Sequence, residues 1–528
     1  MSVLAPHDWL FRHATRRPLA PAIDSPHARV SYAALARRVG AVVAYLRAAG
    51  ITPGEHVLIS LSNSAAAAVA ALGVQAAGGC ACEVSPSAGP EILAAAASQV
   101  SSRFAFLRER DAAVWANVPS SRWFERVVVV GSGSHAAAMA AFGASEVETM
   151  SEAGELANID VPDSLQPAQR QAHEPALVLF TSGSTSTPRG VVLSFGNLEA
   201  NARAIAKYLS LGAEDRAMLV LPLSYAYGRS VLHSHLLVGG SVYLDDRFMF
   251  PRVVLAAMAD ERCTGFAGVP TTFELLRRAV PSFRPAMSLR YVTQAGGAMT
   301  ADTTRWARAT FWPARLFVMY GQTEATARLA YLPPEHSSTK EGSIGVPVDG
   351  MELYIVDANA QPLPDGQVGE LVARGPGVAL GYLEAPEEQA RAFRNEWLFT
   401  GDVGYRDADG FFFLVDRAKE MLKVGGHRVS PAQIESVLAT DPGVLEVAVV
   451  GVVDPVEGEV PVAAVVQRPG HVVSLDGLRR RCRAQLSPTH VPRWMVAVDA
   501  LPRNEVGKLL RREVARLIAA RRPRGETG

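Results

Sequence analysis

The sequence predicts an α/β protein with a large N-terminal domain of stacked α/β sheets, a β-rich subdomain and a small α+β C-terminal domain. Three observations predict it. At 528 residues the chain is too long for one ordinary core. Short apolar, β-branched runs alternate with helical segments, as in parallel sheets covered on both faces. After Leu353 the texture changes to short strands and Gly/Pro/Asp turns.

Ser31 caps a segment in which Leu35, Val39, Val42 and Leu46 recur at helical spacing and which Gly50 closes, giving a helix of about five turns. Thr52-Pro53-Gly54 then makes a turn. Val57–Leu61 reads as a buried strand, Ala65–Ala77 as a helix, and Gly79 leads into another strand. Val127–Val130, Leu177–Phe180, Met218–Leu221, Val242–Leu244 and Leu316–Met319 continue the alternation. Pro364-Asp365-Gly366 and Asp407-Ala408-Asp409-Gly410 mark turns of the β-rich subdomain, about residues 350–416. From Arg417 the last unit contains a helix near Pro431–Thr440, strands Val444–Val452 and Val462–Gln467, and an Arg-rich terminal helix. The domains are therefore expected at 1–416 and 417–528.

Composition narrows the function. Hydrophobic residues at 48% exclude global disorder, and 52 Lys+Arg against 52 Asp+Glu leave no overall basic field for nucleic acid. Cys80, Cys82, Cys263 and Cys482 are too few for a disulfide framework and lack paired zinc spacing, so buried, reduced thiols and a cytoplasmic location are expected. The first residues lack the apolar core of a secretory signal. The Ala-rich stretch Ala65–Cys82, interrupted by Gln75, Gly78 and Gly79, fits a buried helix and strand better than a membrane span.

Four clusters carry chemistry. Thr181-Ser182-Gly183-Ser184-Thr185-Ser186-Thr187-Pro188-Arg189-Gly190 follows a buried strand, where hydroxyls and free backbone N–H groups can hold a polyphosphate, with Arg189 supplying charge. A flexible linker has the same composition but not that position, and the Gly-Lys-Ser/Thr ending of a P-loop is missing. Tyr320-Gly321-Gln322-Thr323-Glu324 lies at another strand's carboxyl end, where a hydroxyl and a carboxylate can reach a phosphate and its magnesium; a capped helix start is the alternative. Asp402, after Phe399-Thr400-Gly401, can accept from two ribose hydroxyls, and Arg417 can bind the same diol or a phosphate. Finally, Gly507-Lys508 places one ammonium near the end of the chain, where a solvated basic tail is the alternative.

The order and spacing of these clusters resemble the adenylate-forming (ANL) superfamily of acyl-CoA synthetases, non-ribosomal peptide adenylation domains and luciferases. The resemblance runs from the Ser31 helix to Lys508. It implies ATP-dependent activation of a carboxylic acid to an acyl-AMP with release of pyrophosphate, followed by transfer to a thiol of CoA or a carrier protein. The Thr181–Gly190 loop then matches the holder of the β- and γ-phosphates, and Gly296, Gly297 and Ala298 the lining of the adenine and acyl sites. Tyr320 is similar to the ring stacked on adenine, Thr323 to a contact of the α-phosphate and carboxylate, and Glu324 to the magnesium ligand. Asp402 and Arg417 match the ribose pair, and Lys508 the lysine bridging carboxylate and α-phosphate. Lys419 resembles the hinge of a mobile C-terminal domain, and Lys423, Gly425, Gly426 and His427 belong to the loop presented to the site when the thiol arrives, where glycines leave room for a pantetheine arm.

Two residues depart from that pattern: Ser186 stands where the superfamily commonly has Gly, and Arg189 where it commonly has Lys, which puts ATP affinity in question. Pro222–Ser230 resembles the acyl-pocket motif, with Tyr225 where many members carry His or Phe. An acidic partner for an α-ammonium is not evident, so a carboxylic acid without that amine is expected, with an aromatic or medium-chain acid as the first candidate. Arg229 could pair with a second acid group on the substrate, or be structural or solvent-exposed. The acceptor thiol is expected from CoA or a separate carrier; transfer to a non-thiol nucleophile, or a nucleotide-binding relative with impaired catalysis, are the alternatives.

Overall fold

The computed structural model describes residues 4–118, 124–131, 146–156, 159, 161, 166–181, 188–280, 283–417, 422–424, 427–454, 458–503 and 509–521. The chain divides into two compact units, Met1–Leu353 with Ala373–Leu398 and Tyr354–Val372 with Phe399–Gly528.

The first unit is a five-layer α/β/α/β/α stack. One sheet contains His56–Ser60, Cys80–Glu83, Phe104–Arg108, Arg126–Val130, Glu146–Met150 and Pro175–Thr181 in parallel, with Arg189–Ser194 and Gly381–Tyr382 antiparallel at one edge. The other has a parallel centre of Pro21–Ser25, Ser241–Leu244, Arg216–Leu219, Gly265–Gly268, Tyr291–Gln294 and Arg315–Tyr320. Between the sheets lie the helices Pro6–Arg16, Tyr32–Ala48, Ala65–Ala77, Phe195–Leu209 and Ala226–Val238, all contributing to one shared core.

The amino-acid pattern explains this middle layer. Ser31 caps its helix by accepting from the Ala34 N–H, as expected. The Ala-rich helix is buried along nearly its whole length, because small side chains let it pack closely between two sheets. Outer helices complete separate cores: Pro90–Val100 covers the first sheet, and Pro251–Asp260, Pro270–Ala279 and Ala301–Thr310 cover the second. All four cysteines are buried thiols.

In the second unit, Asp402–Arg406 of the strand Trp397–Arg406 pairs antiparallel with Phe412–Arg417 across the Asp407–Gly410 turn. The C-terminal sheet runs in the order His427–Val429, Leu422–Val424, Gly458–Gln467, Val444–Asp454, and Met495–Val498 joins Gly458–Gln467 in parallel. Helices Pro431–Leu438 and Leu475–Gln485 cover one face of this sheet and Arg511–Ala520 the other. Among the described residues no helix is long and apolar enough to cross a membrane.

Candidate functional site

Two strand ends of the first unit carry the leading candidates. Pro175–Thr181 ends where Thr181 faces Arg189 across the antiparallel pair. Ser182, Gly183, Ser184, Thr185 and Ser186, between them, lie outside the described residues. The Arg189 guanidinium is 16% exposed, sits 3.5 Å from Glu388 Oε1 and lies 5.8 Å from the centre of the Tyr382 ring.

Arg315–Tyr320 ends the second strand. Gly321 follows because the backbone returns so closely that a Cβ there would lie 2.0 Å from the Ala327 carbonyl oxygen. Thr323–Ala325 form a single 3₁₀ turn, so the expected alternative of a capped helix start is not what the chain does. Thr326 and Ala327 then take left-handed backbone angles (φ 55° and 97°), a strained reversal secured by Thr326 Oγ1 donating to Gly377 O at 2.7 Å.

Tyr382 links these two strand ends. Its backbone pairs with Val191 in the strand that begins at Arg189. Its hydroxyl donates to Glu324 Oε1 at 2.8 Å. Burial and the Glu324 carboxylate both push the Tyr382 phenol well above its ordinary value, so it stays a neutral donor. The other Glu324 oxygen accepts from no described residue, which leaves it open to a cation.

A third edge is formed by Gly296, Gly297 and Ala298, all exposed, after the strand Tyr291–Gln294. Gly296 has φ 85°, and a Cβ on it would meet the Tyr225 hydroxyl at 2.5 Å. Tyr225 caps the start of the helix Ala226–Val238, where its ring lies 6.4 Å from that of Tyr227. Tyr320, expected to stack on adenine, is 9% exposed, and its carbonyl accepts from Leu329 N.

In the second unit Asp402 is 3% exposed and stands opposite Arg417 in the strand register. Thr400 shapes the approach: its hydroxyl donates to Leu371 O at 2.6 Å and accepts from Asp402 N at 3.1 Å, while Gly401 bends with φ 72°. Lys423 faces Arg428, and Val424 faces His427, in a two-stranded hairpin. Gly425, Gly426, Lys419 and Lys508 lie outside the described residues.

Both strand-end clusters fall within a match to the family of AMP-binding enzymes that spans residues 10–383. The chain belongs to the AMP-binding enzymes. A match to the AMP-binding enzyme C-terminal domain spans residues 433–508. Feruloyl-CoA synthase of Amycolatopsis sp is 34% identical over 514 residues, 96% of this chain and 98% of that protein. Among solved structures, ATP-bound MatB from Rhodopseudomonas palustris superposes with a TM-score of 0.86 at 26% identity, covering 98% of this chain and 99% of that one. Amide bond synthetase McbA from Marinactinospora thermotolerans gives 0.85 at 29% identity, covering 97% and 99%. The chain therefore has the ANL fold that its motifs imply.

In this AMP-binding enzyme the sequence reasoning missed Tyr382, Glu388 and Arg328. Tyr382 lies in Gly381-Tyr382-Leu383, a two-residue strand whose partners are remote in sequence, so no local pattern marks it. Arg229 turns out to be structural: 3% exposed, it forms a buried ion pair with Glu83, itself 3% exposed, and its Nε donates to Leu223 O at 3.1 Å. One turn later His233 is buried, and burial together with the Arg229 charge holds it neutral, well below the usual histidine range.

Proposed function

We propose that this AMP-binding enzyme is an AMP-forming acid–thiol ligase that joins a carboxylic acid to ATP, releases pyrophosphate, and passes the acyl group from acyl-AMP to the thiol of CoA or of a carrier protein. The observation that carries this reading is the meeting of Glu324, Tyr382 and Arg189 beside the Thr181–Gly190 loop, inside a chain matched along most of its length by enzymes of this family.

The two reacting groups are both anions, so the barrier is largely electrostatic. Arg189 and the hydroxyls and N–H groups of Thr181, Ser182, Gly183, Ser184 and Thr185 hold the outer phosphates. To do so Arg189 exchanges its contact with Glu388 for phosphate oxygens, a planar fork being well suited to both. Gly296, Gly297, Ala298, Tyr320 and Gly321 hold the base, and Asp402 with Arg417 holds the ribose. Thr323 positions the acid's carboxylate, and Tyr225 borders its acyl chain.

Magnesium fits Glu324, whose one oxygen is fixed by the Tyr382 hydroxyl while the other accepts from no described residue. When bound, such an ion neutralises phosphate charge. Lys508 bridges the carboxylate and the α-phosphate. The domains divide at 416/417, Lys419 is the hinge, and the Lys423–His427 hairpin with Gly425 and Gly426 lines the thiol's path. The enzyme works in the cytoplasm on a small-molecule acid and has no nucleic-acid partner.

A second reading passes the adenylate to an amine, supported by the likeness to the amide bond synthetase. Carboxylate-dependent exchange of labelled pyrophosphate into ATP tests acid activation. Product analysis with CoA, a purified carrier or an amine separates the acceptors. An enzyme that exchanges with no acid in a broad panel would sink the proposal.

A further inference from the structure

Three arginines of the described residues are buried outright: Arg108, Arg229 and Arg328. Arg108 meets the Asp111 carboxylate, and Arg229 meets Glu83. Arg328 is the most deeply placed, at 2% exposure, and among the described residues no carboxylate forms an ion pair with it.

Its few contacts do not satisfy a guanidinium. Nη1 donates to Ala327 O at 3.0 Å, and the cation lies 4.2 Å from the centre of the Tyr227 ring. Nε is buried and has no hydrogen-bond partner. The guanidinium also lies within hydrogen-bonding reach of the buried Tyr208 phenol oxygen, so at least the Nε–H of its five-donor fork stays unused in a low-dielectric interior, where stacking on a ring only partly replaces lost water. The position is held rigidly: with the Asn201 amide oriented to satisfy both neighbours, its nitrogen donates to Thr326 O at 2.8 Å and its oxygen accepts from Arg328 N at 3.3 Å. The strained reversal at Thr326 and Ala327 therefore aims Arg328 away from solvent, four residues after Glu324.

Arg328 also borders a cavity of about 10 Å³, where it joins the hydroxyls of Ser230, Ser234 and Thr293 within a lining that is otherwise largely apolar. That space suits one water-sized group, such as an oxygen of a carboxylate, and not a ring. A chain of contacts leads from Arg328 toward the site: its cation meets the Tyr227 ring, Tyr227 lies edge-on to Tyr225, and the Tyr225 hydroxyl approaches the exposed Gly296.

We infer that Arg328 is a specificity-determining residue that receives a second carboxylate at the far end of the acid, making the substrate class a dicarboxylic acid. This rests on the acid-activating reading above. The acid enters past Gly296 and Tyr225, presents one carboxylate at the Thr323–Glu324 turn, and extends the other toward Arg328 as Tyr227 yields contact with the guanidinium. The anion supplies an acceptor for the unsatisfied Nε–H and a counter-charge that no described carboxylate provides.

The test compares matched acids in the full-length enzyme: hexanoate against hexanedioate, and 3-phenylpropanoate against 3-(4-carboxyphenyl)propanoate, by pyrophosphate exchange. The wild type is expected to favour the diacid of at least one pair by on the order of 10-fold or more in kcat/KM. Arg328→Met is expected to erase or reverse that ratio through KM, and Arg328→Lys to keep part of it. Since Arg328→Met could fail to fold, thermal melting of the wild type supplies an independent reading, with the diacid raising Tm more than its partner at equal concentration. Exchange with monoacids equal to or better than diacids in both pairs overturns the inference while leaving acid activation standing. A ratio that survives Arg328→Met in a folded protein, or an equal Tm rise with both acids of each pair, also overturns it. Exchange with no acid in a broad panel overturns both readings.

Discussion

The Tyr382 hydroxyl donates to Glu324 Oε1 across 2.8 Å, joining the short strand paired with Arg189–Ser194 to the turn that follows a strand of the other sheet. A carboxylate fixed in this way has one oxygen occupied and the other aimed. Replacing Tyr382 by Phe removes only the donor. Pyrophosphate exchange is expected to fall by roughly 10-fold or more, with the half-saturating magnesium concentration raised, in keeping with the loss of a group that orients the proposed magnesium ligand. A magnesium titration that superposes on the wild type would show that the bond merely packs the turn.

Glu324→Gln and Lys508→Ala each remove a charge proposed to act where negative charge accumulates. Each is expected to lower exchange by on the order of 10²–10³ while the protein stays folded. Near wild-type exchange in the Lys508 variant would withdraw that residue from the adenylation step.

Glu83 and Arg229 form a pair with both side chains buried. Breaking it from one side, as in Glu83→Gln or Arg229→Met, leaves an unmatched group in the middle helix layer and is expected to cost about 3–5 kcal/mol in denaturant unfolding. The double variant Glu83→Met with Arg229→Met is expected to recover a large part of that loss. Strictly additive losses would argue that the two side chains are not coupled.

Stability should weaken in mild acid. Burial lowers His233 and His235 below the ordinary value of 6.5, the Arg229 charge adding to the effect at His233. Because the unfolded chain takes up these protons first, stability is complete above about pH 6.5 and declines as pH falls below it. Melting temperature is expected to drop between pH 7 and 5, and less steeply in His233→Gln. An unchanged slope in that variant would remove His233 from the account.

Gly321→Ala tests the close reversal after Tyr320. Its new Cβ would meet the Ala327 backbone oxygen, so the turn carrying Thr323 and Glu324 must shift. Loss of roughly 1–3 kcal/mol and a larger fall in exchange are expected. Full exchange at reduced stability would separate the turn's geometry from catalysis.

Much of the framework was legible locally. The Ser31 cap, the helix Ala65–Ala77 and the strand preceding Thr181 follow from capping, small-residue packing and apolar runs, each a property of neighbours in sequence. Thr181, Arg189, Thr323 and Glu324 stood out because polar residues directly after buried strands are placed at sheet edges. Arg229 and Arg328 were not separable in this way. Both are arginines near apolar residues, and only packing shows that Glu83, on a strand of the other sheet, reaches one of them and no described carboxylate reaches the other.

By itself the sequence determined the alternation of strands and helices, the order of the clusters and the family they resemble, because hydrophobic period, caps and turn residues act over a few positions. Tertiary structure alone decided that Tyr382 would steady Glu324, that Arg229 would be neutralised, and that Arg328 would be buried with no described carboxylate beside it. Those outcomes depend on which strand lies beside which and on distances set by close packing, and neither quantity is encoded in a short window of residues.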